Sequence, residues 1–224
     1  MKPRLLRLAL IVAVAGCAPA APTPPPAVKE IPLLPGTTWI YIDETGREMS
    51  TRVEGPALLD GIPCVKLRGC SVGVSESRWE SQDVAYWSTR DGLLLLHGTG
   101  ESDWQLTART AVPLFQPTVA RGSSWQGRFA SPKDPRTGLE EAAGCTFISG
   151  GREEIATAAG VFDTCHVVEE WKYRGQVKVR IESWYAEEVG LVRQWYRTYN
   201  AQDQPIRTLR IELKAFLAVQ KGSR

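Results

Sequence analysis

The sequence predicts an all-β fold: a curved antiparallel sheet, half-barrel or barrel-like, of about 11–13 strands. Three observations carry this. Short runs rich in Val, Ile, Thr, Tyr and Trp recur with turn residues between them. Val177-Lys178-Val179-Arg180-Ile181-Glu182 alternates apolar and charged without a break, which buries one strand face and wets the other. No window of about eleven residues or more keeps a helical period.

In order, residues 37–42, 50–55 and 62–68 are strands, turned by Glu44-Thr45-Gly46 and Leu59-Asp60-Gly61. Strands at 74–80, 84–89 and 93–97 follow, the last two joined by Arg90-Asp91-Gly92. Asp-Gly between alternating runs favours a hairpin, because a type I′ turn needs positive φ at both central positions. The second half gives 124–129, 146–157, 161–173, 177–186, 191–198 and a long final strand at 206–219.

The two halves, 36–120 and 122–219, echo one another as pseudo-repeats. Gly36-Thr37-Thr38-Trp39 returns as Gly122-Ser123-Ser124-Trp125, and Gly61-Ile62-Pro63-Cys64-Val65 as Gly160-Val161-Phe162-Asp163-Thr164-Cys165-His166-Val167. Tyr86-Trp87 before Gly92 parallels Trp184-Tyr185 before Gly190. If these hairpins are true copies, Trp87 and Trp184 face the same side of the sheet. Chance similarity among hairpins is the competing explanation.

At the N-terminus, Lys2, Arg4 and Arg7 precede an apolar run at 8–15. The pattern is that of a secretory signal over residues 1–16; the run is well short of the about 20 apolar residues a membrane-spanning helix needs. Val14-Ala15-Gly16-Cys17 resembles the lipobox of bacterial lipoproteins. That resemblance implies cleavage before Cys17, a diacylglyceryl thioether on its sulfur and acylation (palmitate or similar) of the new amine. Ala18, rather than Asp, after the cysteine implies routing to the outer membrane, or to the outer face of a single membrane. Residues 17–30 carry Pro19, Pro22, Pro24, Pro25 and Pro26 among alanines, a semi-rigid tether ahead of one β domain at 31–220.

The chain holds 27 Lys and Arg against 25 Asp and Glu; without Lys2, Arg4 and Arg7 the basic count is 27 − 3 = 24, so the remainder is near neutral. A near-neutral domain offers no field for phosphates, which argues against nucleic acid as a partner. With Cys17 assigned to lipid, Cys64, Cys70, Cys145 and Cys165 remain. An even count in an oxidising compartment favours disulfides in one of three connectivities, with buried thiols as the alternative. A hairpin near Leu67 would pair Cys64 with Cys70 and leave Cys145 with Cys165. No Cys-x-x-Cys occurs and the histidines are His97 and His166, so neither a metal nor a cofactor is expected.

Gly69-Cys70-Ser71-Val72-Gly73 matches the nucleophile-elbow pentapeptide, and Asp163 and His166 could complete a serine-hydrolase order. The elbow needs a strand-to-helix turn, and no helix pattern follows Gly73. The doublets Glu140-Glu141, Glu153-Glu154, Glu169-Glu170 and Glu187-Glu188 are expected on solvated edges, because neighbours on a strand point to opposite faces and cannot converge on one bond. Cys165-His166 fails as a dyad for the same reason. Among eight tryptophans, Trp171, Trp184 and Trp195 fall on three consecutive strands, where hairpin pairing could set them in one aromatic layer. Such a layer is either packed core or the wall of an apolar pocket.

The segment 149–196 resembles a family of uncharacterised bacterial envelope lipoproteins. Its marks are Glu154-Ile155-Ala156-Thr157-Ala158-Ala159-Gly160-Val161-Phe162 and Trp184-Tyr185-Ala186-Glu187-Glu188-Val189-Gly190-Leu191-Val192. The resemblance implies a fold like the half-barrel lipoprotein carriers of the LolA and LolB type, a curved sheet around an apolar hollow. The resulting expectation is a lipid-anchored, non-catalytic envelope protein that binds an apolar ligand or a protein partner on a concave aromatic face. The alternative is a structural or assembly lipoprotein with a packed core, acting through loops such as 130–144.

Overall fold

Alternating burial runs through most strands, and the described residues form twelve of them. The structure, a computed structural model, describes residues 31–69, 84–91, 93–100, 105–116, 118–130, 142–173, 176–200 and 202–219. The strands are β1 (Thr38–Asp43), β2 (Glu48–Leu59), β3 (Ile62–Gly69), β4 (Val84–Arg90), β5 (Leu93–Gly100) and β6 (Gln105–Phe115). Then come β7 (Ser124–Ala130), β8 (Ala142–Thr157), β9 (Gly160–Tyr173), β10 (Gln176–Ala186), β11 (Gly190–Tyr199) and β12 (Pro205–Leu217). Each pairs antiparallel with its sequence neighbours, and β1 pairs with β12 to close a barrel. Closure leaves no open edge. Of the two expected forms, half-barrel or barrel-like, the sheet takes the closed one, and among the described residues there is no helix.

The pattern missed β6, because Pro113 interrupts Gln105–Phe115 and proline cannot donate to a ladder. The strand tolerates it by parting from β7, with which, among the described residues, it pairs at Thr107–Ala130 and Ala108–Phe129. Trp125 Nε1 instead donates to the Pro113 carbonyl at 2.7 Å. The predicted strand at 74–80 lies outside the described residues.

The inward face is packed with large side chains. Trp39, Tyr41, Phe129, Phe147, Trp171 and Tyr196 are fully buried. Phe115 on β6 stacks on Tyr185 on β10 at 5.1 Å, so rings from strands that are not neighbours meet. Phe129 on β7 meets Trp171 on β9 at 4.7 Å. Each such ring buries about 150–250 Å² and aromatic pairing adds roughly 0.5–1.5 kcal/mol.

The two halves share their backbone irregularities. Thr37 N–H donates to Leu34 O, Gly36 N–H to Val53 O and Val53 N–H to Thr37 O; in the second half Ser123 donates to Ala120, Gly122 to Ser149 and Ser149 to Ser123. The register of β2 against β3 shifts between Val53 and Gly55, and that of β8 against β9 between Ser149 and Gly151. Gly55 and Gly151 both have positive φ (146° and 88°), the conformation such a bulge requires and glycine supplies without strain. A further shift falls between Tyr86 and Trp87 on β4, and between Trp184 and Tyr185 on β10. Thus β1–β6 and β7–β12 share these irregularities, while the expectation that Trp87 and Trp184 face the same side is not met. The equivalent of Trp87 is Tyr185, one place beyond the pairing the sequence suggested. Trp87 faces inward with Val65 and Leu96, whereas Trp184 faces outward with His166.

Candidate functional site

After the Gly150-Gly151 bulge the β8–β9 hairpin leaves the barrel wall as an arm, residues 151–164. Arg152 pairs with Asp163 across the arm at 2.6 Å and with Glu187, in the β10–β11 turn, at 3.2 Å. Glu153 Oε1 accepts from Trp184 Nε1 on β10 at 2.6 Å. Arg193 on β11 donates to Ala156 O at 3.0 Å, and Ala159 N–H reaches Leu213 O on β12 at 3.3 Å. The arm thus straps across the outer side of β10, β11 and β12 in turn.

Beneath the strap sits a cluster of rings and charges. His166 lies flat on Trp184 at 4.5 Å with an interplanar angle of 2°. Its ring occupies the space beside Gly150, where an added Cβ would fall 2.1 Å from His166 Nδ1. Glu153 and Glu182 approach its two nitrogens, each at 3.6 Å. Burial holds the imidazole below its ordinary pKa, with both carboxylates pulling the other way. Glu182 also meets Arg197 at 3.3 Å and Arg180 at 3.6 Å. Trp195 sets its edge on Trp184 at 5.0 Å, and Arg210 covers its face at 4.9 Å.

A second polar group lies inside the barrel. Glu169 is buried, receives a hydrogen bond from Trp171 Nε1 at 3.2 Å and a second from the Ser183 hydroxyl, which itself accepts from Gln194 Nε2 at 3.2 Å. Burial pushes its carboxyl up to about 7, against the pull of the two hydrogen bonds.

These placements revise several expectations. Trp171, Trp184 and Trp195 do not form one layer: Trp184 pairs with His166, five places from Trp171 on β9, and so faces the opposite side. Trp171 is interior core; Trp184 and Trp195 belong to the strapped outer cluster. Cys64, Cys145 and Cys165 are free thiols. Cys145 stands opposite Trp171 while Cys165 stands opposite Arg152. Six strand positions put the two cysteines roughly 20 Å apart, beyond the about 7 Å Cα separation a disulfide spans. The strand β3 runs straight through Leu67 rather than turning there, which removes the hairpin expected to bring Cys64 to its partner; Cys70 is outside the described residues. Cys17, and the pentapeptide from Cys70 onward, also lie outside them. Asp163 and His166 are three places apart on β9, hence on opposite faces, and Asp163 is held by Arg152. Among the described residues no group of three or more His, Cys, Asp or Glu could hold a metal ion.

Glu153 is exposed, as expected of a solvated edge, whereas Glu169 is buried. Adjacent residues on a strand face apart, so within Val168-Glu169-Glu170-Trp171 one glutamate of the pair has to face inward.

No protein-family model and no curated protein matches the chain. Solved structures do. One is a protein from Parabacteroides distasonis provisionally described as a lipoprotein: 14% identity, 85% of this chain and 99% of that one, TM-score 0.41. Another, from Bacteroides fragilis, is provisionally described as an exported protein with a YmcC-like fold: 11% identity, 85% and 99% coverage, TM-score 0.46. A third is the hypothetical lipoprotein YmcC from Escherichia coli: 15% identity, 84% and 90% coverage, TM-score 0.39. None of the three is described as a LolA or LolB carrier.

Proposed function

We propose that the chain is a non-catalytic lipoprotein of the bacterial cell envelope, anchored through Cys17, whose closed barrel is a rigid scaffold presenting its outer surface to a protein partner. The observation that carries the scaffold reading is the contact of Phe115 with Tyr185 across the barrel at 5.1 Å. Rings that meet from strands that are not neighbours take up interior space an acyl chain would occupy. The strap adds to this: its salt bridges and hydrogen bonds fix an outer face that would otherwise be an ordinary sheet surface. The carrier alternative loses its support because Trp184 and Trp195 face away from the interior.

Two measurements test the reading. The Cys17→Ser protein is expected to leave the membrane fraction for the soluble one; retention at wild-type levels would refute the anchor. The mature chain with Ser at position 17, titrated with a fluorescent fatty acid, is expected to bind none saturably. Stoichiometric binding would refute the packed scaffold and restore the carrier.

A further inference from the structure

Six large apolar side chains are exposed among the described residues: Leu58, Ile62, Val161, Ile206, Leu217 and Val219. Five of them gather at one end of the barrel. Leu58 and Ile62 flank the β2–β3 turn, Val161 is at the tip of the β8–β9 arm, and Leu217 and Val219 close the chain beside β1. Ile206, at the start of β12, is at the opposite end.

The same end receives the chain from its N-terminal tether. Ile31 lies against the β10–β11 turn, where its Cγ2 is 3.4 Å from the position of a Gly190 Cβ. Pro35 is 3.8 Å from that of Gly55, at the base of the β2–β3 hairpin, and Val219 Cγ2 is 3.4 Å from that of Gly36. The entering segment therefore threads among the elements that carry the exposed side chains. Leu58 is 71% exposed, Val161 63% and Leu217 56%. From Cys17 to Ile31 is 14 residues. Even fully extended, that length cannot hold this end more than roughly 50 Å from a lipidated Cys17.

We infer that this end of the barrel, with Leu58, Ile62, Val161 and Leu217, rests on the bilayer in which the Cys17 acyl chains are embedded. The inference depends on the lipid anchor proposed above and goes beyond it: the anchor confines the domain near the membrane, and the apolar end sets its orientation. Side chains on hairpin tips enter the headgroup and acyl boundary, each removing apolar area from water. The end bearing Ile206 points away.

The test uses the full lipidated protein reconstituted in vesicles of phosphatidylethanolamine and phosphatidylglycerol containing spin-labelled lipid. An environment-sensitive dye is placed singly at Leu58→Cys, Val161→Cys or Ile206→Cys, with dye uptake by the unsubstituted protein as background. All three positions are exposed, so folding is expected to survive and is checked by circular dichroism. The expected result is a blue shift and at least twofold quenching by the lipid spin label at 58 and 161, with neither at 206. Vesicle-bound protein with water-like dye at 58 and 161 overturns the inference while leaving the anchor standing. So does equal quenching at all three positions. Protein that floats free of the vesicles refutes the anchor, and the orientation with it.

Discussion

Replacing Glu169 by Gln isolates the cost of one buried carboxylate. The carboxyl titrates at about 7 in the fold, raised from 4.5, chiefly because it is shut inside the barrel. Between these values the folded state holds a proton that the unfolded chain has released. Stability from this group is therefore full below pH 4.5, falls as pH rises from 4.5 to 7, and is flat above 7. A shift of 7 − 4.5 = 2.5 units corresponds to about 3 kcal/mol. Glutamine keeps an acceptor for Trp171 Nε1 and for the Ser183 hydroxyl but cannot ionise. The variant is thus expected to lose the pH-dependent part, gaining about 3 kcal/mol on the wild type between pH 4.5 and 8. His97 and His166 are both held below their ordinary pKa by burial, so their contributions fall as pH drops through the same region. For that reason the quantity to read is the difference between variant and wild type, from urea unfolding at a series of pH values with the slope checked for constancy. If the difference is the same at pH 4.5 and pH 8, Glu169 is not held protonated by its surroundings.

The remaining predictions concern glycines, thiols and the strap. Gly190→Val should cost about 2–4 kcal/mol: positive φ alone accounts for roughly 1–2, and the added atoms meet Trp39, whose Nε1 donates to Val189 O at 2.5 Å. Gly46→Val, with a similar φ and nothing within 4 Å of its Cβ, should show only the conformational part; equal losses in urea titrations would contradict the contact with Trp39. Gly150→Ala pushes a methyl into the His166 ring, so it should lift the imidazole from Trp184 and change the near-ultraviolet dichroism, whereas Gly144→Ala, with open space at its Cβ, should leave the spectrum unchanged. Thiol titration of the unreduced protein in denaturant should count at least three free sulfhydryls, from Cys64, Cys145 and Cys165; fewer would show that a disulfide forms.

The strands were legible where alternation is strict, as in β2, whose burial switches at nearly every residue. Pro113 hid β6, because a proline in a ladder is tolerated only where the neighbouring strand has departed, and that is a tertiary fact. The likeness of the two halves was visible in the matching Gly-x-x-Trp segments at Gly36 and Gly122. Its frame was not, since a bulge displaces the equivalence by one residue without leaving a mark in composition. The same arithmetic misplaced Trp184: proximity on consecutive strands says nothing about face, and only register assigns it. The strap was illegible for a different reason. Its contacts join residues up to dozens of positions apart, Ala159 with Leu213 being one, and no local pattern encodes where a bent hairpin will land.

The two halves of the ring meet at two joins, and here they are unequal. Among the described residues one join, β12 to β1, holds six residue pairs and the other, β6 to β7, holds two. Thermal fluctuation should separate the ring at the weaker join first, since opening there breaks the fewest ladder bonds. Amides of Thr107, Ala108 and Phe129 would then exchange with solvent ahead of those in β1, and the strand flanks exposed by that parting would be the ones most prone to pair with another molecule. The seam beside Pro113 is in that sense the barrel's latch: a ring elsewhere without ends acquires a beginning and an end there.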